Sequence, residues 1–311
     1  MEESVTLLSG GLSTELEAAG LLIEGDPLWS ARLLHTNPQA IKNVHTSYLK
    51  SGSEVLSTAT YQASIKGFMQ HLGANVDEAA KLFHVAVNLA KEAAEEFNMQ
   101  SKEKRNIIVA GSIGPYGAFL HDASEYTGSY TRDMSIEEFK DWHRVQMQHL
   151  VSAGVDLFAL ETIPSQKEAE ALIQLLREFP NTKAWLSYSC QSASSTSFGD
   201  KFEEAVKVAT ATHQLVAIGV NCCSPDLISS ILSSANKSCS LDTDWIVYPN
   251  SGEEWNHSVG WQGSKPVKLL SDYALEWVQL GARWLGGCCR TSPADIASLR
   301  DVLRADGPEK H

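Results

Sequence analysis

Short runs of apolar, often β-branched residues alternate along this chain with longer stretches in which apolar positions recur every three or four residues. An unbroken apolar run of four to eight residues predicts a buried strand, and spacing near 3.6 predicts a helix that buries one face. The first strand is expected at Val5 to Leu8, followed by Gly10-Gly11 and a helical turn from Thr14 to Ala19. Asn37-Pro38 opens a helix that runs through Tyr48 and is stopped by Gly52, and Glu54 to Thr60 reads as the second strand. Asn75 with Glu78 three residues on has the form of a capping box, ahead of Ala79, Phe83, Ala86, Ala90 and Phe97 at helical spacing. Strands follow at Asn106 to Ser112, Val155 to Glu161, Ala184 to Ser189, Val216 to Asn221, Asp244 to Tyr248 and Arg283 to Gly287. Between and after them the pattern predicts helices at Ser135 to Ser152, Gln166 to Glu178, Lys201 to Thr212, from Pro225 onward, at Val267 to Leu280 and at Pro293 to Leu303.

About eight strands, each followed by a helix and with no break in composition, fit a closed α/β barrel of the (β/α)8 TIM type better than an open doubly wound sheet, which stays the alternative. The reading takes residues 1–311 as a single domain. Pro115 to Asp133 and Asn250 to Pro266 lack periodicity, follow strands and carry aromatics and glycines, as βα loops over an active site do.

Composition narrows the partners. A net charge of −13 speaks against non-specific binding to nucleic acid or to an anionic membrane surface and favours a cationic substrate. The acidic start, Met1-Glu2-Glu3-Ser4, has neither the basic region nor the long apolar region of a signal peptide, and no apolar run reaches membrane-spanning length. Six clustered cysteines in 311 residues are too few for a disulfide framework, so a reducing, cytoplasmic setting with free or metal-bound thiols is expected.

The cysteines carry the candidate chemistry. Cys288 and Cys289 close the last strand, and a disulfide between neighbours would strain the backbone, whereas two thiolates leaving one turn can face a soft cation together. Cys222-Cys223 likewise ends the sixth strand. In a barrel a single strand would separate the two sites, and at about 4.8 Å per strand their sulfurs come within roughly 10 Å. Either Cys222 or Cys223 then supplies a third ligand, and three thiolates with one open position describe a catalytic zinc, since structural sites fill all four places. The ten histidines lack metal-ligand spacing.

The stretches Leu7 to Gly20, Asp26 to Ser30, Thr60-Tyr61-Gln62-Ala63, Gly111 to Ala118, Glu161-Thr162-Ile163-Pro164, Gly219-Val220-Asn221-Cys222, Tyr248 to Glu253 and Gly286 to Thr291 together resemble the homocysteine S-methyltransferases. The likeness spans nearly the whole chain and is greatest to the stand-alone enzymes that use S-methylmethionine, relatives of betaine–homocysteine methyltransferase. The resemblance implies one Zn²⁺ per chain on Cys222, Cys288 and Cys289, with Cys223 a bystander. It also implies small-molecule substrates, homocysteine and a sulfonium donor (S-methylmethionine or S-adenosylmethionine), in a monomer or small homo-oligomer. Gly10, Gly11, Tyr61, Glu161 and Asn221 are the substrate-binding candidates, Gly10-Gly11 offering N–H groups to a carboxylate and Glu161 receiving the ammonium. The bland readings are a turn glycine pair, a core aromatic and a solvated strand-end acid. Ser9 stands where the family usually has an aspartate, which shifts ammonium binding toward Glu161.

Two other function classes compete. Gly111, Gly114 and Gly117 after a strand suggest a Rossmann-type methyltransferase, against which stand Pro115 and the expected lack of a following helix. Clustered thiols alone would serve a metal buffer or redox sensor, which has no need of long patterned loops.

Overall fold

Along the strands, side chains alternate between the inside of a closed sheet and its helix-covered outside. The computed structural model describes residues 5–239, 242–256, 260–262 and 268–305. Its barrel strands are β1 (Thr6–Leu7), β2 (Val55–Ser57), β3 (Ile108–Ile113), β4 (Leu157–Ile163), β5 (Lys183–Tyr188), β6 (Leu215–Asn221), β7 (Asp244–Tyr248) and β8 (Ala282–Leu285). Every neighbouring pair is parallel, in the order β1-β8-β7-β6-β5-β4-β3-β2, and a parallel bridge from Leu8 to Val55 closes β1 onto β2. Closure excludes the open sheet.

The period of two sorts the residues. Leu8, Val55, Ala110, Leu157, Ala159, Trp185, Ala217, Ile246 and Tyr248 form an interior cluster, while Phe158, Leu160, Leu186, Ile218, Val220 and Val247 pack outward against the helices. Small inward residues make room for Trp185, and Gly219 is obligatory because a Cβ there would sit 1.8 Å from the Ile246 carbonyl oxygen. One step further along each strand the inward register turns polar. Ser112, Glu161, Ser187 and Asn221 are all buried at the C-terminal side, which is where barrel enzymes place their chemistry.

The expected elements exist, with differences at the ends. The second strand stops at Ser57 because side chains replace its ladder: Ser112 N–H donates to Thr58 Oγ1 at 3.0 Å and Thr60 Oγ1–H to the Ser112 carbonyl at 2.7 Å. The helix expected at Val267 to Leu280, whose first residue lies outside the described residues, is a 3-10 turn, Leu270–Asp272, and a short helix, Ala274–Gln279. Asp272 caps the turn by accepting from Leu269 N–H. A helix at Ile65–Leu72, capped by Ser64, was not expected. Nor is 115–133 a featureless loop, for it holds a helix at Tyr116–Leu120 and 3-10 turns at Ser124–Tyr126 and Ser129–Arg132. A short helix therefore does begin within the 111–117 glycine stretch, and what excludes the nucleotide-binding fold is the closed barrel. Much of Asn250 to Pro266 lies outside the described residues, and within it Glu254–Asn256 pairs antiparallel with Gly260–Gln262.

Candidate active site

The C-terminal mouth of the barrel opens into a cavity of about 620 Å³ lined by Gly10, Gly11, Tyr61, Glu161, Asn221, Cys222, Cys288 and Cys289, so all eight candidates meet there. Among the described residues, Cys222, Cys288 and Cys289 are the group suited to a metal, with sulfurs all within 4.8 Å of one another. Cys222 reaches this point because the backbone turns at the end of β6 into the left-handed region, at φ 49°. On the other side Gly286 N–H donates to Val247 O, and Cys288 N–H to Pro249 O, pinning the Gly-Gly-Cys-Cys turn to the end of β7. Cys223 faces the other way, 5% exposed in the outer core, where burial pushes its thiol up to about 12.

Two of these thiols were expected to be free or metal-bound, whereas Cys222 and Cys288 are joined here as a disulfide. The reason is the same convergence, since their Cα atoms are 5.6 Å apart, inside the range a disulfide can span. Cys289 keeps its thiol, 3.9 Å from Cys222 Sγ, and burial pushes it up to about 12. The hydroxyl of Tyr126 lies against it. A buried neutral thiol such as Cys289 becomes a thiolate only beside a cation, and with the Cys222–Cys288 bond reduced three soft donors at one point fit a soft dication such as zinc.

Within the glycine pair, Gly11 is engaged otherwise than expected. Gly11 N–H is taken, donating to Thr291 O and to Thr291 Oγ1 at 3.1 Å each. A Cβ at Gly10 would lie 2.8 Å from Thr291 Oγ1, and one at Gly11 2.5 Å from the Cys288 carbonyl oxygen. The pair therefore lets the cysteine turn seat against β1, and Gly11 has no N–H to spare for a carboxylate. Asn221 is also engaged. Its Oδ1 accepts from Thr162 N–H at 2.8 Å, and its Nδ2 donates to Thr162 Oγ1 at 2.8 Å and to Cys288 Sγ at 4.0 Å.

Glu161 is no solvated acid. Only 9% exposed, it accepts from the Ser112 hydroxyl on one oxygen and from Tyr248 Oη at 3.0 Å on the other, and burial raises its carboxyl from 4.5 to about 7. Tyr61 lines the wall, its phenol pushed well above the usual range by burial and then by Glu125.

Three acids beyond Glu161 border the cavity, namely Glu17, Glu24 and Glu125, together with Trp29 and Tyr126. Among the described lining residues none is Lys or Arg. The sequence marked the stretches that carry Glu17, Trp29, Glu125 and Tyr126 but singled out none of the five as a site residue, because they sit on helical turns and loops whose path over the barrel is set by tertiary packing.

Residues 6–303 match the family model described as Homocysteine S-methyltransferase. The chain belongs to the homocysteine S-methyltransferase family. It is 39% identical to homocysteine S-methyltransferase 1 of Zea mays over 96% of this chain and 94% of that protein. To the betaine–homocysteine S-methyltransferase of Drosophila melanogaster it is 38% identical, over 94% and 92% respectively. The metallated crystal form of the homocysteine methyltransferase MmuM from Escherichia coli shares the fold with a TM-score of 0.85 and 37% identity, covering 96% of each chain. Membership assigns methyl transfer to homocysteine to this chain.

Proposed function

We propose that the enzyme transfers a methyl group from a sulfonium donor, S-methylmethionine or S-adenosylmethionine, to the thiolate of L-homocysteine, with one zinc ion held by Cys222, Cys288 and Cys289. The observation that carries this reading is the convergence of three cysteine sulfurs within 4.8 Å at the floor of an acidic, aromatic-lined cavity. Zinc held by three thiolates with a place left open supplies acidification of a thiol that is otherwise mostly protonated at neutral pH, its ordinary pKa being about 8.5.

The chain's own residues do the rest. Glu161, fixed by Ser112 and Tyr248, receives the ammonium of homocysteine and so aims its thiol toward the cysteines. Glu17, Glu24 and Glu125 attract the positively charged donor, and Trp29, Tyr61 and Tyr126 offer faces to its sulfonium. Because the positive charge disappears as the methyl moves, gripping it more tightly in the ground state does not speed the step; the gain lies in holding sulfur, methyl and leaving sulfur in line. A metal buffer would have no use for such a cavity. In the same reading residues 1–311 form one homocysteine-binding domain of a cytoplasmic enzyme, a monomer or small homo-oligomer.

Metal analysis of protein purified under reductant and without chelator is expected to find about one zinc per chain. Cys222→Ala, Cys288→Ala and Cys289→Ala should each abolish turnover and metal binding, and Cys190→Ala and Cys239→Ala neither. Full activity without zinc, or an active Cys222→Ala beside a dead Cys223→Ala, overturns the ligand set. Steady-state rates with each donor decide between the two sulfonium compounds.

A further inference from the structure

We infer that Asn221, locked by Thr162, is a positioning residue that sets the electron density of the Cys288 thiolate, and is not a contact for substrate. The inference rests on the metal reading above. Asn221 is 1% exposed and ends β6 in the inward register, one residue before Cys222. Its amide has two ends and three partners. Oδ1 accepts the Thr162 N–H, which fixes which way round the amide lies, because Nδ2 cannot accept that bond. Nδ2 is thereby turned to donate to Thr162 Oγ1 and, at 4.0 Å, to Cys288 Sγ, which is one half of the disulfide here and a thiolate once that bond is reduced and a metal is bound.

Thr162 is itself held in an unusual conformation, φ 60°, just past Glu161 on β4. A left-handed β-branched residue is strained and persists only where its surroundings impose it. Here that conformation presents the Thr162 N–H to Asn221 across the barrel mouth instead of to the strand ladder, consistent with the shift in the β4–β5 register between Leu160 and Ile163. Cys222 makes the matching left-handed turn on β6, at φ 49°. Two strained strand ends therefore hold one amide, and the amide has a proton left over for one sulfur.

An N–H···S bond draws charge from a thiolate. A sulfur so bonded gives less charge to a metal ion, and the ion stays more acidic toward a thiol bound at the open place. Partners of this kind around ligating residues are worth about 10- to 100-fold in metal affinity.

Cobalt(II) loaded into the reduced protein gives a direct readout, the sulfur-to-cobalt charge-transfer absorption. Asn221→Leu has nearly the same shape with no donor, and Asn221→Asp keeps the acceptor for the Thr162 N–H while facing the sulfur with a carboxylate oxygen in place of an N–H. Both should move the band to longer wavelength, Asn221→Asp further. Thr162→Val keeps the N–H that orients the amide but removes the Oγ1 that steadies Nδ2, and should move the band less in the same direction. In chelator competition Asn221→Leu should bind zinc about 10- to 100-fold more weakly. Should Asn221→Leu fail to fold, the other two variants carry the test. Wild-type bands in variants that bind cobalt overturn the assignment to Asn221. A wild-type protein that binds neither cobalt nor zinc overturns the metal reading beneath it.

Discussion

Glu161 shows how a single side chain joins stability to binding. Its carboxyl titrates near 7 in the free enzyme because burial opposes the charge more strongly than the Ser112 and Tyr248 bonds favour it. The folded pKa lies above the unfolded one, so the protonated acid's contribution to stability is present below about 4.5 and is lost as pH rises through about 7, on the order of 3 kcal/mol across that window. Glu161→Gln removes this titration. Its melting temperature relative to wild type should therefore be higher at pH 8 than at pH 5, and an unchanged difference would show that the acid is not destabilised by burial. The same variant should raise the KM for homocysteine by about 10- to 100-fold, as for the loss of a charge-assisted hydrogen bond worth about 1.5–3 kcal/mol. Amine-free thiols should lose little. If they lose as much as homocysteine, Glu161 holds the barrel mouth together and does not bind an ammonium. At this scale the strand pattern brought Cys288 and Cys289 toward either Cys222 or Cys223, and it was the family resemblance that pointed to Cys222. Neither disclosed that Asn221 is clamped to Thr162 or that Gly11 spends its N–H on Thr291, since both depend on residues 59 and 280 positions away.

Among the elements, the segment 116–132 decides what the cavity looks like, because it carries Glu125 and Tyr126 over the barrel mouth. It is anchored from below by Glu168, fully buried on the helix Gln166–Leu176. The Glu168 carboxylate accepts from Tyr116 N–H at 2.7 Å and Tyr130 Oη at 2.6 Å, and pairs at 2.9 Å with Nε2 of buried His143 on the helix Ile136–Ala153. Close packing completes the anchor, since a Cβ at Gly117 would lie 2.5 Å from the Glu125 backbone nitrogen. Glu168→Ala strips three partners at once and should cost about 3–5 kcal/mol, the range for breaking a buried pair, as measured by the denaturant midpoint. The variant should also raise the KM for the donor, as the turn bearing Tyr126 loosens. Normal stability would mean that the segment is held by its packing alone. Long elements such as the helix Val76–Gln100 were legible from periodicity and from the Asn75–Glu78 capping box. The three- to five-residue turns of 116–132 were not, because they are shorter than two helical periods and owe their shape to Glu168, which lies 52 residues beyond Tyr116 and 38 beyond Tyr130.

For the molecule as a whole, charge and shape act together. The chain carries −13, and its cavity is bordered by four glutamates in a low-dielectric wall, which focuses negative potential at the mouth. Burial and the neighbouring Glu24 raise the Glu17 carboxyl, with Arg290 acting the other way, so part of this field is built against self-repulsion. A sulfonium amino acid carries one net positive charge at neutral pH, whereas homocysteine is a neutral zwitterion. The two substrates therefore respond differently to screening, whose length falls from about 30 Å at 0.01 M salt to about 8 Å at 0.15 M. Raising salt across that range should lower kcat/KM for the donor several-fold and leave kcat/KM for homocysteine nearly unchanged. The double variant Glu17→Gln, Glu24→Gln should flatten the donor's salt dependence and lower its kcat/KM at low salt, with zinc content unaltered because neither residue is among the three converging thiols. Equal salt sensitivity for both substrates would mean that salt acts on the protein itself. A donor insensitive to salt would mean that the aromatic faces capture the sulfonium without help from the acidic rim.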